Sequence, residues 1–553
     1  MKKHAARLAA VARPFEVFRL QSDSTSADLP SRDVVGSKAL NLMIMSRAGL
    51  PVPPGFVLST DLCRAYMREG RGCLAGIEQV LATELEALER QTGRRFGDAK
   101  RPLLVSVRSG AAISMPGMME TVLNVGLTQA TLPGLVRLSG NPRLALDCYR
   151  RLIEQYAEVV YGADPHIFEE IVDQQIAAGG LSDRHELDTE QLEAIITEHR
   201  SACAEILGRV VPESPLDQLM ATIEAVLKSW TSERAQSYRA LNKIPDDAGT
   251  ATLIQAMVFG NAGPTSGSGV GFTRNPSDGA DVLYIDYLPS AQGEDVVAGR
   301  RNALGPDELK RRAPQAYSDL VASTQVLEQT FADMQDFEFT IEDGRLYMLQ
   351  ARSGKRTPLA ALRIAHDLVA AGVISADTAM ERLSALQLDG IEAQELTVPQ
   401  GVQPLARAIP ASAGVVVGVA VIDPARVSEI KKSGARVILL RENAETQDIA
   451  AVAEADALVT MKGARTSHAA VVARQLGKVC LVACGALKIE GSGRAAELGG
   501  VTIAEGDTLS VDGSTGLVYA GQLKVKRTKP KVLLEEIESW RRKRPASKAQ
   551  ALS

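Results

Sequence analysis

Apolar residues recur with two different periods along this chain. Between residues 130 and 240 they recur every three or four positions, for example over 144–161 and 216–230, which predicts amphipathic helices. Short apolar runs such as 251–259 then take over and predict strands, with a glycine-rich loop at 260–271. The pattern therefore predicts a multidomain α/β fold with a helical insertion.

Strict alternation identifies a β-hairpin near the middle of the chain. It spans 336–341 and 345–352, and side chains two apart on a strand project from the same face. Asp336 and Glu338 would share one face of the first strand, and Gln350 and Arg352 that of the second. Mg²⁺ prefers such oxygen ligands, but a solvated hairpin face with a salt bridge has the same pattern.

A second pattern surrounds a histidine. The apolar run 457–460 predicts a strand, a polar loop follows at 461–465, and Thr466 or Ser467 could cap the helix after it. His468 would then lie in the first helical turn, where unpaired N–H groups and the helix dipole favour an anion. A neutral imidazole is a nucleophile, although a lone histidine here could also simply pack or bond locally.

The N-terminal third contains two further candidate sites. A helix is predicted to open at 36–42 with Lys38 near its start, followed by a turn and strand at 50–58. The strand at 103–111 contains Arg108, whose planar guanidinium suits phosphate oxygens. Either cation could instead be solvated.

Composition narrows the class of protein. The hydrophobic fraction is 45% and the charged fraction 23%, as in globular proteins, and the net charge of −5 disfavours nucleic-acid binding. The six cysteines lack metal-ligand spacing, and no apolar run is long enough to span a membrane. We expect a cytoplasmic protein with reduced, buried thiols and no membrane partner.

Two short motifs resemble a known family. The run Thr-Ser-His-Ala-Ala at 466–470, continued by an apolar helix to Arg474, resembles the phosphohistidine segment of the pyruvate phosphate dikinase and phosphoenolpyruvate synthase family. The run Ser-Met-Pro-Gly-Met-Met at 114–119 resembles the dikinase branch. Three positions depart from the family pattern: Ala464 and Arg465 stand where glycine and methionine are usual, and Asp286 stands where glutamate is expected.

The resemblance implies both a reaction and its residues. ATP, with Mg²⁺ bound and inorganic phosphate as co-substrate, would phosphorylate His468 and leave AMP. The residues implied in catalysis are His468, Thr466 (which would fix the imidazole tautomer) and Arg108. Those implied in nucleotide binding are Lys38, Arg108, Gln255, Glu338, Gln350 and Arg352. Those implied in metal binding are Glu338, Gln350 and Asp336.

The resemblance also implies a domain organisation. It predicts an ATP-grasp domain at 1–356 with a helical subdomain at 130–240, and a helical linker at 357–408. A swivelling phosphohistidine domain of β/β/α type is predicted at 409–523, followed by a basic tail at 524–553.

The identity of the phosphoryl acceptor stays open at this point. The family's pyruvate-binding barrel needs about 250 residues, and only residues 524–553 follow the predicted phosphohistidine domain. We therefore expect the acceptor to be pyruvate or another compound bound on a separate acceptor-domain protein. Alternatives are a dikinase-type kinase of a small alcohol or phenol, and a non-catalytic regulator that senses ATP.

Overall fold

The structure is a computed structural model that describes residues 14–21, 28–113, 115, 120–298, 301–443, 448–463, 465, 468–489 and 495–543. The chain forms two compact units, Met1–Val258 and Phe259–Ser553. The predicted multidomain α/β fold is confirmed by several separate sheets and many helices.

The first unit is built on a five-stranded sheet and a two-stranded sheet. Its strands are β1 (Val17–Arg19), β2 (Gly55–Leu58), β3 (Arg95–Phe96), β4 (Pro102–Leu103), β5 (Val105–Gly110), β6 (Thr121–Val125) and β7 (Ala251–Ala256). The larger sheet has the order β1-β2-β7-β5-β6, with neighbours antiparallel, and β3 pairs with β4. Every residue of β2 and β7 is buried, including the polar Thr252 and Gln255 of β7.

Helices form the rest of the first unit. They are α1 (Arg32–Arg47), α2 (Thr60–Glu69), α3 (Ile77–Thr92), α4 (Leu132–Ser139), α5 (Pro142–Tyr161), α6 (His166–Gly179), α7 (Thr189–Ile206), α8 (Pro215–Ser229) and α9 (Glu233–Asn242). The helices predicted at 144–161 and 216–230 are confirmed as α5 and α8. Helix α5 starts where the Asn141 side chain accepts from the N–H of Leu144, and it ends at Gly162 in the left-handed region.

The second unit begins with a four-stranded antiparallel sheet. Its strands are β8 (Gly267–Phe272), β9 (Tyr284–Pro289), β10 (Gln335–Glu342) and β11 (Arg345–Ser353), in the order β11-β10-β8-β9. The accompanying helices are α10 (Gly293–Ala298), α11 (Pro306–Arg312) and α12 (Pro314–Phe331).

The predicted hairpin is confirmed as β10 and β11, but the predicted glycine-rich loop at 260–271 is only partly a loop. Its second half is strand β8. Glycine fits there because of close packing: a Cβ on Gly269 would lie 2.3 Å from the Cζ of Phe339. These glycines therefore make room for aromatic rings rather than forming a loop.

The remaining residues form a mixed eight-stranded sheet, two small sheets and further helices. The helices are α13 (Pro358–Ala370), α14 (Ala376–Leu383), α15 (Val427–Lys432), α16 (Ile449–Glu454), α17 (His468–Gln475) and α18 (Lys531–Lys543). The strands are β12 (Ala393–Thr397), β13 (Ala406–Arg407), β14 (Ile409–Ser412), β15 (Val415–Val421), β16 (Val437–Arg441), β17 (Ala457–Thr460), β18 (Val479–Val482), β19 (Leu487–Ile489), β20 (Ala495–Leu498), β21 (Val501–Ala504), β22 (Thr508–Asp512), β23 (Leu517–Ala520) and β24 (Lys524–Thr528).

The eight-stranded sheet has the order β13-β23-β22-β15-β16-β17-β18-β14, and β15 to β18 run parallel. Its strands are apolar at consecutive positions because both faces are covered. In β16, Ile438 and Leu440 pack into the core on one face, while Val437 and Leu439 pack into the core on the other. Helix α17 contacts this second core through residues such as Ala470.

The residues predicted as a linker and a tail contain more structure than the sequence pattern indicated. The predicted helical linker at 357–408 contains α13 and α14, but it also contains β12 and β13. The predicted basic tail contains β24 and α18. Strand β12 pairs with β24 from the predicted tail, and β13 joins the eight-stranded sheet. The reason is long-range pairing, which a local pattern does not reveal.

Two general expectations can be compared directly with the structure. All six cysteines are buried as free thiols, as expected. Within the described residues, none of the helices is both long enough and apolar enough to cross a membrane.

Helix α18 contacts α13 through His366. Its Nδ1 is 2.9 Å from the Asp367 Oδ1 and its Nε2 is 2.8 Å from the Glu536 Oε2, while its ring stacks on Trp540. The hydrogen bond to Asp367, followed by that to Glu536, raises the pKa of His366 above its ordinary value of 6.5. The charged imidazole therefore stabilises the contact between the two helices.

Because the pKa of His366 is raised in the folded protein, its stabilisation is complete below pH 6.5 and is lost as pH rises through the raised value. We expect the urea midpoint reported by Trp540 fluorescence to fall over this rise in pH. In His366→Gln this dependence should be weaker. Parallel pH profiles for the two proteins would contradict the assignment.

Candidate active site

The hairpin face brings together the four polar side chains predicted to share it. Asp336 lies opposite Arg352, and Glu338 lies opposite Gln350, across the β10–β11 ladder. The Nε of Arg352 is 2.9 Å from the Oδ2 of Asp336, so these two residues form an ion pair. The expected gathering of two carboxylates, an amide and a guanidinium on one face is confirmed.

The register of the hairpin changes beside this group. Glu338 pairs with Gln350, but the next residue, Phe339, pairs with Met348. Leu349 is therefore the extra residue of a β-bulge. Bulges redirect side chains and are frequent beside active sites.

The charges on this face influence one another. Burial raises the pKa of Asp336, Arg352 opposes that shift, and Glu338 adds to it. The pKa of Arg352 is also raised: burial lowers it, but its ion pair with Asp336 has the larger net effect. A cation at this face would relieve the repulsion between the two carboxylates.

The donor set fits Mg²⁺. Neither the Glu338 nor the Gln350 side chain has a hydrogen bond within the described residues, whereas the Asp336 side chain is already paired with Arg352. In the same part of the chain no group of three or more His, Cys, Asp or Glu side chains could hold a metal. An ion here would therefore take further ligands from water or from phosphate oxygens, as Mg²⁺ commonly does.

In the first unit, Arg108 lies on β5 with an unsatisfied donor. It pairs in register with Leu253 on one side and Thr121 on the other. Its Nε is buried and has no hydrogen-bond partner among the described residues. A buried unpaired donor costs about 1–3 kcal/mol, and an anionic ligand would remove that cost.

A kink in α1 places Lys38 close to the end of β5. Gly36 has φ of 75° and ψ of 159°, so the regular helix starts after it. A Cβ on Gly36 would lie 2.2 Å from the carbonyl oxygen of Gly110, which shows how closely the two segments approach. The N–H and hydroxyl of Ser37 both donate to the carbonyl of Ala111. Lys38 is thereby held in the first turn after the kink, next to the strand that carries Arg108.

Gln255, the remaining predicted nucleotide contact, is a buried residue of β7. Its side-chain amide donates to the carbonyl of Pro53 at 3.0 Å. In this structure, that donor joins β7 to the turn before β2.

The order of elements around His468 is the predicted strand, loop and helix. Strand β17 is fully buried, and α17 begins at His468. Thr466 lies outside the described residues, and only the backbone of His468 belongs to them.

Two arginines, Arg465 before α17 and Arg474 in its last turn, make contacts that the sequence did not reveal. The Nε and Nη2 of Arg474 donate to the carbonyl of Ala411, and Nη2 also donates to the carbonyl of Arg465. The guanidinium of Arg474 lies 5.1 Å from the ring centre of Phe272 on β8. That of Arg465 lies 4.4 Å from the ring centre of Tyr284 on β9.

These contacts place the start of α17 against the four-stranded sheet that carries the hairpin face. Arg474 also acts electrostatically on Asp336, lowering its pKa. The hydroxyl of Tyr284 donates to the carbonyl of Pro410 at 2.5 Å. The sequence contains only one signal for the contacts of Arg465 and Arg474 with the sheet. Phe272 ends one strand and Tyr284 begins the next, but aromatic residues at strand ends are too common to be specific.

Two family descriptions match the chain. One is "Pyruvate phosphate dikinase, AMP/ATP-binding domain" at residues 73–317, and the other is "PEP-utilising enzyme, mobile domain" at residues 434–516.

Curated relatives match over most of the chain. Pyruvate, phosphate dikinase of Clostridium symbiosum is 41% identical over 513 residues, which cover 92% of this chain and 59% of the relative. The enzyme of Rhizobium meliloti (strain 1021) is 40% identical over 519 residues, covering 92% and 58%. That of Giardia intestinalis is 40% identical over 495 residues, covering 89% and 56%. The chain thus spans less than two thirds of the length of these relatives.

The close approach of Gly36 to Gly110 generates a stability test. Gly36→Ala adds a clash of about 1–3 kcal/mol to the cost of a conformation that only glycine adopts readily. Gly49→Ala is the matched control, because Gly49 also has positive φ but nothing lies within 4 Å of its added Cβ. The free energy of unfolding, measured with urea, should fall more in Gly36→Ala than in Gly49→Ala. Equal decreases in the two variants would contradict the close packing of Gly36 against Gly110.

Proposed function

The chain belongs to the pyruvate phosphate dikinase family, and on that premise we propose that it transfers a phosphoryl group from ATP to its own His468. The observation that carries this proposal is the position of α17. Its first residue is His468. Arg465 before the helix and Arg474 in its last turn contact the sheet whose hairpin presents Asp336, Glu338 and Gln350.

The chemistry of the described side chains supports specific roles in binding ATP. In the first unit, Arg108 has a buried donor suited to a phosphate oxygen, and Lys38 adds a second positive charge. We also assign Gln255 a nucleotide contact. Its side-chain oxygen would make this contact, because its side-chain N–H already donates to the carbonyl of Pro53. In the second unit, Arg352 adds a guanidinium beside the metal-binding face.

Glu338 and Gln350 would hold Mg²⁺, with Asp336 as a third oxygen donor. When bound, the ion would neutralise charge on the transferring phosphates. Asp336 must share its carboxylate with Arg352, so its contribution is smaller than that of Glu338. The paired guanidinium keeps Asp336 oriented on the face.

His468 would act as the nucleophile. The lone pair of the neutral imidazole forms a bond to the β-phosphorus while the bond between that phosphorus and the oxygen of the α-phosphate breaks, which releases AMP. The γ-phosphoryl group, still joined to the β-phosphorus on the histidine, then passes to inorganic phosphate. An oxygen of that phosphate bonds to the γ-phosphorus while the bond from the γ-phosphorus to the β–γ bridging oxygen breaks, which gives pyrophosphate and leaves the β-phosphoryl group on His468. We assign Thr466 the role of holding the imidazole tautomer that presents a free nitrogen.

We further propose that residues 409–523 move as the carrier domain. The relatives' name identifies pyruvate as the acceptor to which the phosphoryl group is delivered. Residues 357–408 would then be the linker, residues 1–356 the nucleotide-binding part and residues 524–553 the terminal tail. Strand β24 of this tail pairs with β12 of the linker.

Phosphorylation of His468 can be measured directly. Incubation with ATP labelled with ³²P at the β-position, Mg²⁺ and phosphate should give an acid-labile protein label. His468→Ala should remove it, because the imidazole is the proposed nucleophile. His166→Ala, at an exposed histidine of α6, is the control and should label normally. Equal labelling of His468→Ala and the wild type would refute the assignment.

The metal role of the hairpin predicts a second result. Glu338→Gln should raise the Mg²⁺ concentration needed for half-maximal labelling by about tenfold or more, because one anionic ligand is lost. Glu342→Gln, on the same strand beyond the face, is the control. An unchanged Mg²⁺ requirement in Glu338→Gln would remove Glu338 from the metal site.

A further inference from the structure

Arg465 is one of three residues that depart from the family pattern, and the structure brings it together with a second one. Its Nε lies 3.8 Å from the Oδ1 of Asp286, the other departure. The Asp286 side chain is only 2% exposed and that of Arg465 is 20% exposed, so water screens their attraction weakly. Arg465 lies three residues before His468.

The surroundings of Arg465 restrict it further. Its guanidinium lies over the ring of Tyr284, a favourable cation–π position. The same ring is fixed at its other end, because its hydroxyl donates to the carbonyl of Pro410. The carbonyl of Arg465 accepts from Arg474, so both the backbone and the side chain of Arg465 are held.

One donor of Arg465 remains unused. Its Nε is buried and has no hydrogen-bond partner among the described residues, because 3.8 Å to Asp286 is too long for a hydrogen bond. The contact with Asp286 is thus electrostatic and can adjust by small movements. A modest closure of this contact would convert it into a charge-assisted hydrogen bond.

We infer that Arg465 is a positioning residue for phosphoryl transfer: it travels with His468 and, through Asp286 and Tyr284, fixes the phosphohistidine loop on the four-stranded sheet. This rests on the proposed function. In-line attack tolerates little error, since a displacement of about 1 Å can cost about a hundredfold in rate. Arg465 is suited to limit that displacement because it is so near His468 in the chain.

The role of Arg465 can be separated from a general effect on folding or ATP affinity. Arg465→Met should lower the single-turnover rate of His468 labelling by about tenfold to a hundredfold at saturating ATP. The Kd for ATP, measured by calorimetry, and the Tm should stay close to wild type. Arg465→Lys, which keeps the positive charge, should recover part of the rate.

A matched control and a double-mutant cycle sharpen the test. Arg436 and Asp456 form a more exposed ion pair of similar length, 3.7 Å, next to the eight-stranded sheet. Arg436→Met therefore removes an arginine–aspartate pair away from the hairpin face and should leave the rate unchanged. Asp286→Asn should also slow labelling. If the two residues act through their contact, the rate loss in the double variant Asp286→Asn/Arg465→Met should be smaller than the product of the two single losses. Independent, multiplicative effects would overturn the inference.

Failure of this inference differs from failure of the proposed function. If the wild type labels and Arg465→Met labels equally fast, the positioning role is wrong and the function stands. If neither the wild type nor the variants become labelled, the proposed function fails. Hydrogen exchange then tests the contact of Arg465 with the four-stranded sheet independently. Arg465→Met should speed exchange of amides in β9, whereas Arg436→Met should not. Unchanged exchange in Arg465→Met would overturn the positioning contact as well.

Discussion

Positive charge held against aromatic rings connects the histidine segment to the sheet beside it. Arg465 and Arg474 are mostly removed from water, and each lies over a ring of the four-stranded sheet. Burying a cation is unfavourable unless compensating groups surround it. Carbonyl oxygens compensate Arg474, while Tyr284 and the carboxylate of Asp286 compensate Arg465. The docked position of α17 depends on this compensation.

The same sheet carries polar groups that are left incompletely satisfied. The side chain of Asp336 has Arg352 as a partner, but the side chains of Glu338 and Gln350 have no hydrogen bonds within the described residues. They are half-buried, so water or a divalent cation could reach their oxygens. In the first unit, the buried Nε of Arg108 is also unpaired among the described residues. Native proteins seldom leave a buried donor unpaired, and a phosphate oxygen is a suitable acceptor for it.

Local pattern was enough to predict several elements but not their tertiary contacts. The period-two alternation predicted the β10–β11 hairpin and its polar face because strand geometry alone fixes which side chains share a face. The strand, loop and helix around His468 followed from apolar runs and turn residues. The bulge at Leu349 was not predictable, since it depends on how the two strands pair.

Contacts between distant segments account for the remaining differences. Strand β12 exists because β24 pairs with it, more than a hundred residues later in the chain. The glycines of β8 looked like a loop because the aromatic rings that require them come from other strands. The encounter of Arg465 with Asp286 was invisible for the same reason, although both residues stood out individually.

The central claim is that His468 receives a phosphoryl group while α17 lies on the four-stranded sheet. Mass spectrometry of the protein after incubation with ATP, Mg²⁺ and phosphate, with digestion at alkaline pH to preserve phosphohistidine, tests this most directly. We predict one added phosphoryl group, confined to the peptide 466–474 and localised on its histidine. An unmodified 466–474 peptide, or a phosphoryl group found only elsewhere in the chain, would contradict the account.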